Sequence, residues 1–176
     1  STTSEVLRRS QVPVLAVPLA NPDEPGQKVP ARWPGRRIVA PIALDAQSTA
    51  DAARAAEVAR WFGTSLVLVH VVPEQPAPSW FGGNVAALLH EAAEGAGTRL
   101  AEIARPLGVR TATIVAHGHP PDEIAAVTHA QDAGLVVMTL RGGEGVLGAP
   151  VGSIAYNVLT HDIAPVLALP EHRASG

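Results

Sequence analysis

The spacing of apolar residues changes period repeatedly along the chain. Arg37 to Ile42 is a short apolar run of strand type. From Thr49 to Phe62, Ala52, Ala55, Ala56, Ala59 and Phe62 recur at helical spacing, which predicts a helix with Ser48 as N-cap and Gly63 as stop. Ser65 to Val72 reads as a second strand. Asn84 to Leu107 reads as a helix with Leu88, Ala92, Leu100 and Ile103 on its apolar face, and Val109 to Ala116 as a third strand. Pro121 to Gln131 is a helix opened by a proline, whose missing N–H costs nothing in the first turn. A fourth strand starts at Leu135-Val136-Val137-Met138; the helical segment Ile154 to Leu159 and the strand Ala164 to Leu169 complete the pattern.

Strands that alternate with helices, several of them continuously apolar, imply an α/β domain whose parallel sheet is covered on both faces. In such open sheets a ligand sits beyond the carboxyl ends of the strands, where the winding direction reverses. For five strands this brings together the loops after the first and the fourth, which are Ala43-Leu44-Asp45 and Leu140 to Val151.

The second of these loops carries chemistry. Gly142, Gly143, Gly145 and Gly148 precede Gly152-Ser153, which opens the helical segment beginning at Ile154. Glycines let a backbone approach a ligand closely, and the unpaired N–H groups at a helix start suit a phosphate. An ordinary surface loop ending in a Gly-Ser cap would have the same composition.

Two Pro- and Gly-rich passages, Leu19 to Gly35 and Pro73 to Gly83, interrupt the pattern, the first as an extended linker and the second as a loop around Trp80 and Phe81 that is either a lid or merely a connection. The two ends of the chain also repeat each other. Without a gap, Ser1 to Pro18 lies on Ser153 to Pro170, matching Val6-Leu7 with Val158-Leu159 and Pro13-Val14-Leu15-Ala16 with Pro165-Val166-Leu167-Ala168. The expected organisation is therefore a helix and strand at 1–18 left from an upstream copy of the domain, a linker at 19–35, one complete copy at 36–172 and a tail at 173–176. The segment Val12 to Val17 is then a strand in need of a partner, and 164–169 is its obvious one, within one chain or across a dimer.

Composition narrows the functional classes. The chain has 176 residues, enough for one sizeable core, with 47% hydrophobic and only 3% aromatic residues. A formal net charge of −3 without basic runs argues against a nucleic-acid surface. With no cysteine there is no disulfide, thiolate nucleophile or cysteine-ligated metal. No apolar stretch reaches membrane-spanning length, so no membrane partner is expected and the cytoplasm is the simplest location. His117, His119 and Asp122 are the nearest approach to a metal set, but His-Gly-His-Pro before a helix reads better as a turn, and no protein-ligated metal is expected. Ser153 lacks the Gly-x-Ser-x-Gly surroundings of a nucleophile, and no Gly-Lys-Ser/Thr motif is present.

Together, Arg37-Ile38-Val39-Ala40-Pro41, Leu68-Val69-His70-Val71-Val72, His117-Gly118-His119-Pro120 and, most specifically, Gly152-Ser153 followed by Val158-Leu159 and Pro165-Val166-Leu167 resemble the universal stress protein family over nearly all of 36–170. The resemblance implies an open five-stranded parallel sheet of order 3-2-1-4-5 with helices on both faces, similar to the adenine nucleotide alpha hydrolases, and dimers joined through the fifth strand. The family's nucleotide binders carry Gly, two residues, Gly, nine residues, then Gly-Ser or Gly-Thr. Gly142 and Gly152-Ser153 match the latter part, whereas Thr139 stands in place of the first glycine. Carried across, Gly142, Gly152, Ser153 and the Ile154 backbone would surround the phosphates. Pro41, Ile42 and Val71 would line the adenine, with Met138 beneath the nucleoside. Ala43 stands where the family usually has an aspartate, and Asp45, two residues later, either compensates or caps the following helix.

The resemblance thus implies a non-catalytic sensor or regulator in the stress response that binds ATP or AMP, with Mg2+ carried by the nucleotide's phosphates and a regulatory partner still to be identified. Alternatives are a nucleotide-free dimerisation or scaffold module, for which Ala43 and Thr139 mark a degenerate site, and a slow ATP hydrolase without a clear general base.

Overall fold

A computed structural model of the chain describes residues 2–18, 33–73, 83–140, 153–161 and 164–171. The elements in chain order are α1 (Thr2–Arg9), β1 (Val14–Ala16), β2 (Arg37–Pro41), α2 (Ser48–Phe62), β3 (Ser65–Val72), α3 (Val85–Ala104) with a 3-10 turn (Arg105–Leu107), β4 (Thr111–His117), α4 (Pro120–Ala130), β5 (Leu135–Leu140), α5 (Ser153–Thr160) and β6 (Val166–Pro170). The strands form one sheet of order β1-β6-β5-β2-β3-β4. β4, β3, β2, β5 and β6 run parallel, and β1 adds a sixth strand, antiparallel, at the β6 edge. The sheet therefore has six strands rather than five, because the amino-terminal segment is built into it.

Side chains alternate between the two faces of the central strands, and both faces are dry. Ile38, Leu66, Leu68, Leu135 and Val137 pack with Ala52, Ala55, Ala56 and Ala59 of α2 and Leu100 of α3. Val39, Val67, Val69 and Val136 pack on the opposite face with Ile124 and Val127 of α4, Ala155 and Val158 of α5, and Leu7 of α1. Alanines on α2 let that helix lie close to the sheet, which is why so few aromatic residues suffice for the core.

Local signals set most boundaries. Gly63 ends α2 with φ +61°; its N–H donates to the Arg60 carbonyl, and the Thr64 N–H reaches back to Ala59. Asn84 caps α3 by accepting the Ala87 N–H at 3.2 Å. Ser48 departs from expectation: it is the first helical residue of α2, the N-cap is Gln47, and no side chain caps there. The Ser48 hydroxyl points back instead, accepting the Asp45 N–H at 2.8 Å and donating to the Asp45 carboxylate at 3.2 Å. The end of the expected linker also departs from it. Trp33 sits edge-on to Phe62 with ring centres 5.2 Å apart, and Gly35 forms a bridge to Ala133. Residues 33–35 thus belong to the packed domain.

At that bridge two backbones meet where no side chain fits. A Cβ on Gly134 would overlap the Pro34 carbonyl, and Gly35 holds φ +80°. Gly134→Ala is therefore expected to destabilise the fold by about 1–3 kcal/mol, the usual cost of overpacking, seen as a lower urea midpoint at unchanged slope.

Candidate functional site

The crevice follows from the order of the strands. β2 lies between β3 and β5, and the chain winds outward from it in both directions, so the loops after β2 and β5 part to opposite faces. The β2–β3 ladder continues to Pro41 opposite Val69, but the β2–β5 ladder stops at Val39 opposite Val136. Beyond that point the carboxyl ends of β2 and β5 are not held together by backbone pairing.

Alternation then sorts the candidate residues by face. Val71 and Met138 are partly buried against the α4/α5-side cluster, and Pro41, two residues after Val39, points the same way. Ile154, in the first turn of α5, packs on that cluster too. The structure thus brings Pro41, Val71, Met138 and Ile154 to one face. Ile42 lies on the other: its side chain is only 4% exposed in the α2-side core, its N–H donates to the Val69 carbonyl at 2.8 Å, and its carbonyl accepts from His70 Nδ1 at 2.7 Å. Gly142 and Gly152 lie outside the described residues, and Ser153 is described only as the first residue of α5.

Thr139 belongs to the α2 face, between Met138 and Leu140, which both point the other way. Its hydroxyl is hydrogen-bonded to the Asp51 carboxylate in the first turn of α2. The branched side chain that replaces glycine in the family pattern is thus directed away from the face shared by Pro41, Val71 and Met138.

The loop after β2 is tightly organised. Leu44 holds φ +61°, a left-handed conformation that is costly for a bulky residue, and is kept there by packing on the α2-side core. Asp45 folds its carboxylate onto its own turn, accepting the Gln47 N–H at 2.9 Å and the Ser48 hydroxyl. Of the two roles open to Asp45 from the sequence, these contacts are those of a turn-builder before α2. Ala43, partly exposed, has no polar side-chain group to offer a ligand.

Three participants were not evident beforehand. His70 is the one polar residue between Leu66 and Val72, and that interruption of an apolar run was its signal. Its Nδ1–H ties β3 to the end of β2, so the proton sits on Nδ1 whenever this bond is made. Ser48 was expected only as the N-cap of α2, and Asp51 carried no signal; the tertiary structure sets Asp51 against Thr139 and turns the Ser48 hydroxyl onto Asp45. Elsewhere, Asp122 pairs with His119 Nδ1 and with His161 Nε2, both at 3.1 Å, fastening the carboxyl end of α5 to the first turn of α4. No group of three or more His, Asp or Glu among the described residues is arranged to hold a metal ion. Among them, too, no helix is long and apolar enough to cross a membrane.

Burial raises the Asp51 carboxyl above its ordinary value; the Thr139 hydroxyl and the Arg54 guanidinium work against this, and Glu171 adds to it. Because the folded-state pKa lies above the unfolded one, the folded chain binds the proton more tightly. The destabilising contribution is therefore complete above the folded pKa and vanishes as pH falls below about 3.8. Asp51→Asn keeps an acceptor for Thr139 and removes the charge. It should raise stability at pH 7, converging with the parent only as pH falls below about 3.8, in paired urea titrations. Thr139→Val removes the donor and should cost about 1 kcal/mol at pH 7.

Comparison with known proteins places this geometry. The model of the universal stress protein family matches residues 35–170. A universal stress protein family structure from Burkholderia pseudomallei is 23% identical, aligns over 77% of this chain and 96% of its own, and has a TM-score of 0.60. The universal stress protein from Archaeoglobus fulgidus in complex with dAMP is 24% identical over 76% of this chain and 96% of its own, TM-score 0.53. Another universal stress protein, from Archaeoglobus fulgidus DSM 4304, is 20% identical and aligns over 97% of this chain but 54% of its own, TM-score 0.58. No curated protein matches significantly.

Proposed function

Because the chain belongs to the universal stress protein family, we propose that it binds an adenine nucleotide, AMP or ATP, between the carboxyl ends of β2 and β5 and works as a non-catalytic sensor or regulator in the cytoplasmic stress response. The carrying observation is the early end of the β2–β5 ladder, with Pro41, Val71 and Met138 collected on one apolar face beside it. A purine is flat and largely apolar on its faces, which suits such a floor. Thr139 leaves that floor clear, since its side chain is held by Asp51 on the other side of the sheet. A neighbour of the same fold is in complex with dAMP.

The phosphates would meet Gly142, Gly152, Ser153 and the Ile154 N–H, on the family pattern, with Mg2+ arriving on the nucleotide. Occupancy would change the surface offered to a regulatory partner. The titratable groups around the crevice favour a binding over a catalytic role. Asp45 accepts from its own turn, His70 donates to the Ile42 carbonyl, and Asp51 accepts from Thr139. The same Asp45 contacts favour a second reading, a structural module without nucleotide, since they supply no ribose contact.

Calorimetry with AMP and with ATP, each with and without Mg2+, decides between them. Binding is expected for at least one nucleotide, and Met138→Trp, which fills the floor, should weaken it at least about tenfold, roughly 1.4 kcal/mol. Absence of heat for both at millimolar ligand leaves the structural module, and sustained phosphate release from ATP would overturn the non-catalytic assignment.

A further inference from the structure

The end of the sheet opposite the crevice has a chemistry of its own. At the amino ends of the strands, Arg36 precedes β2, Arg110 precedes β4, Arg105 opens the 3-10 turn after α3, and Arg60 lies in the last turn of α2. All four are exposed. The Ser65 N–H donates to the Arg36 carbonyl and the Leu66 N–H to the Arg110 carbonyl, so these two residues flank the start of β3, roughly 10 Å apart at the usual strand spacing. The Arg60 guanidinium donates to the Leu107 carbonyl at 2.8 Å, which holds it beside the turn that begins at Arg105. Glu57 and Glu102 stand one turn back on α2 and α3, and Asp132 follows α4. Yet among the described residues no carboxylate is in an ion pair with any of the four arginines.

Aromatic rings gather at the same end. The chain has only three tryptophans and two phenylalanines. Phe62 nevertheless has Trp33 on one side at 5.2 Å between ring centres and Trp61 on the other at 5.6 Å. Trp61 is 84% exposed and Trp33 39%. A tryptophan left in water at the end of a helix gives the fold little, whereas burying it against a partner removes roughly 200 Å2 of mostly apolar surface from water.

We propose that this pole is a docking surface for an acidic segment of a partner protein, whose carboxylates meet the four guanidiniums and whose apolar side chains pack on Trp61 and Trp33. Arginine presents a planar fork that matches a carboxylate, and tryptophan with arginine makes the residue set that dominates binding energy at protein interfaces. Charge distribution selects a short segment as the occupant. Asp45, Asp51, Asp122, Glu123 and Glu171 lie at the opposite end, before or within the first turns of α2 and α4 or just after β6. A membrane or a nucleic acid would extend its negative charge past the pole and meet the acidic remainder of a chain whose net charge is −3; a short segment touches the pole alone. The proposal does not rest on nucleotide binding, because the crevice lies at the carboxyl ends of the strands and stays open when the pole is occupied.

Fluorescence anisotropy of a labelled peptide of alternating Glu and Phe, titrated with the full chain, tests this. Saturable binding that weakens as salt rises is expected, and the same peptide with Gln in place of Glu should not bind. Arg36→Gln combined with Arg110→Gln should weaken binding at least about tenfold, and Trp61→Ala at least about fivefold. Arg9→Gln, which removes a charge from α1 far from the pole, should leave affinity within about twofold of the parent. No binding of the Glu and Phe peptide, equal binding of the Gln peptide, or a loss in Arg9→Gln as large as in the pole variants would overturn the proposal. So would tighter binding of phosphatidylserine vesicles or of oligothymidylate through the same residues, which would assign the pole to a membrane or to a nucleic acid. Should the double arginine variant lose its native circular dichroism, Trp61→Ala and the Gln peptide still decide.

Discussion

Burial of the central strands on both faces is the constraint from which the rest of this molecule follows. Ile38 and Val39, adjacent in β2, point to opposite faces and are both fully buried, as are Leu66 and Val67 in β3 and Leu135 and Val136 in β5. A sheet with two apolar faces must be covered by helices on both, and parallel strands need crossover connections long enough to contain them. The winding must then reverse somewhere, and it does so between β2 and β5. The crevice is thus a by-product of how the core is covered, and its chemistry is left to the residues just past the strand ends.

Those residues divide their work by face. On the α4/α5 side, Val71 and Met138 pack at the edge of the core, and strand alternation points Pro41 the same way. On the α2 side, the polar groups of the same strands and loops are used for support: Thr139 donates to Asp51, His70 to the Ile42 carbonyl, and Ser48 to Asp45. This support holds the end of β2 and its left-handed Leu44 in place. Thr139, His70 and Ser48 thus spend their polar groups on the side of the sheet away from Val71 and Met138.

The β6 edge shows a different use of the same physics. An unpaired strand edge is a standing invitation to another strand. Here the edge is closed by a segment whose sequence repeats that of β6 and its helix.

Periodicity along the chain determined the helices and strands, and with them the parallel sheet and its switch point, because alternation and helical spacing are local consequences of which side must be dry. The repeat between Ser1–Pro18 and Ser153–Pro170 and the interruption of β3 by His70 were likewise visible in the residues alone. What only the tertiary structure decided was direction and partnership. It turned Thr139 towards Asp51 and away from Met138, drew Asp45 into its own turn, docked Trp33 on Phe62, and laid β1 antiparallel on β6. Each of these depends on which distant groups arrive opposite one another once the layers are packed, and a linear pattern holds no record of that.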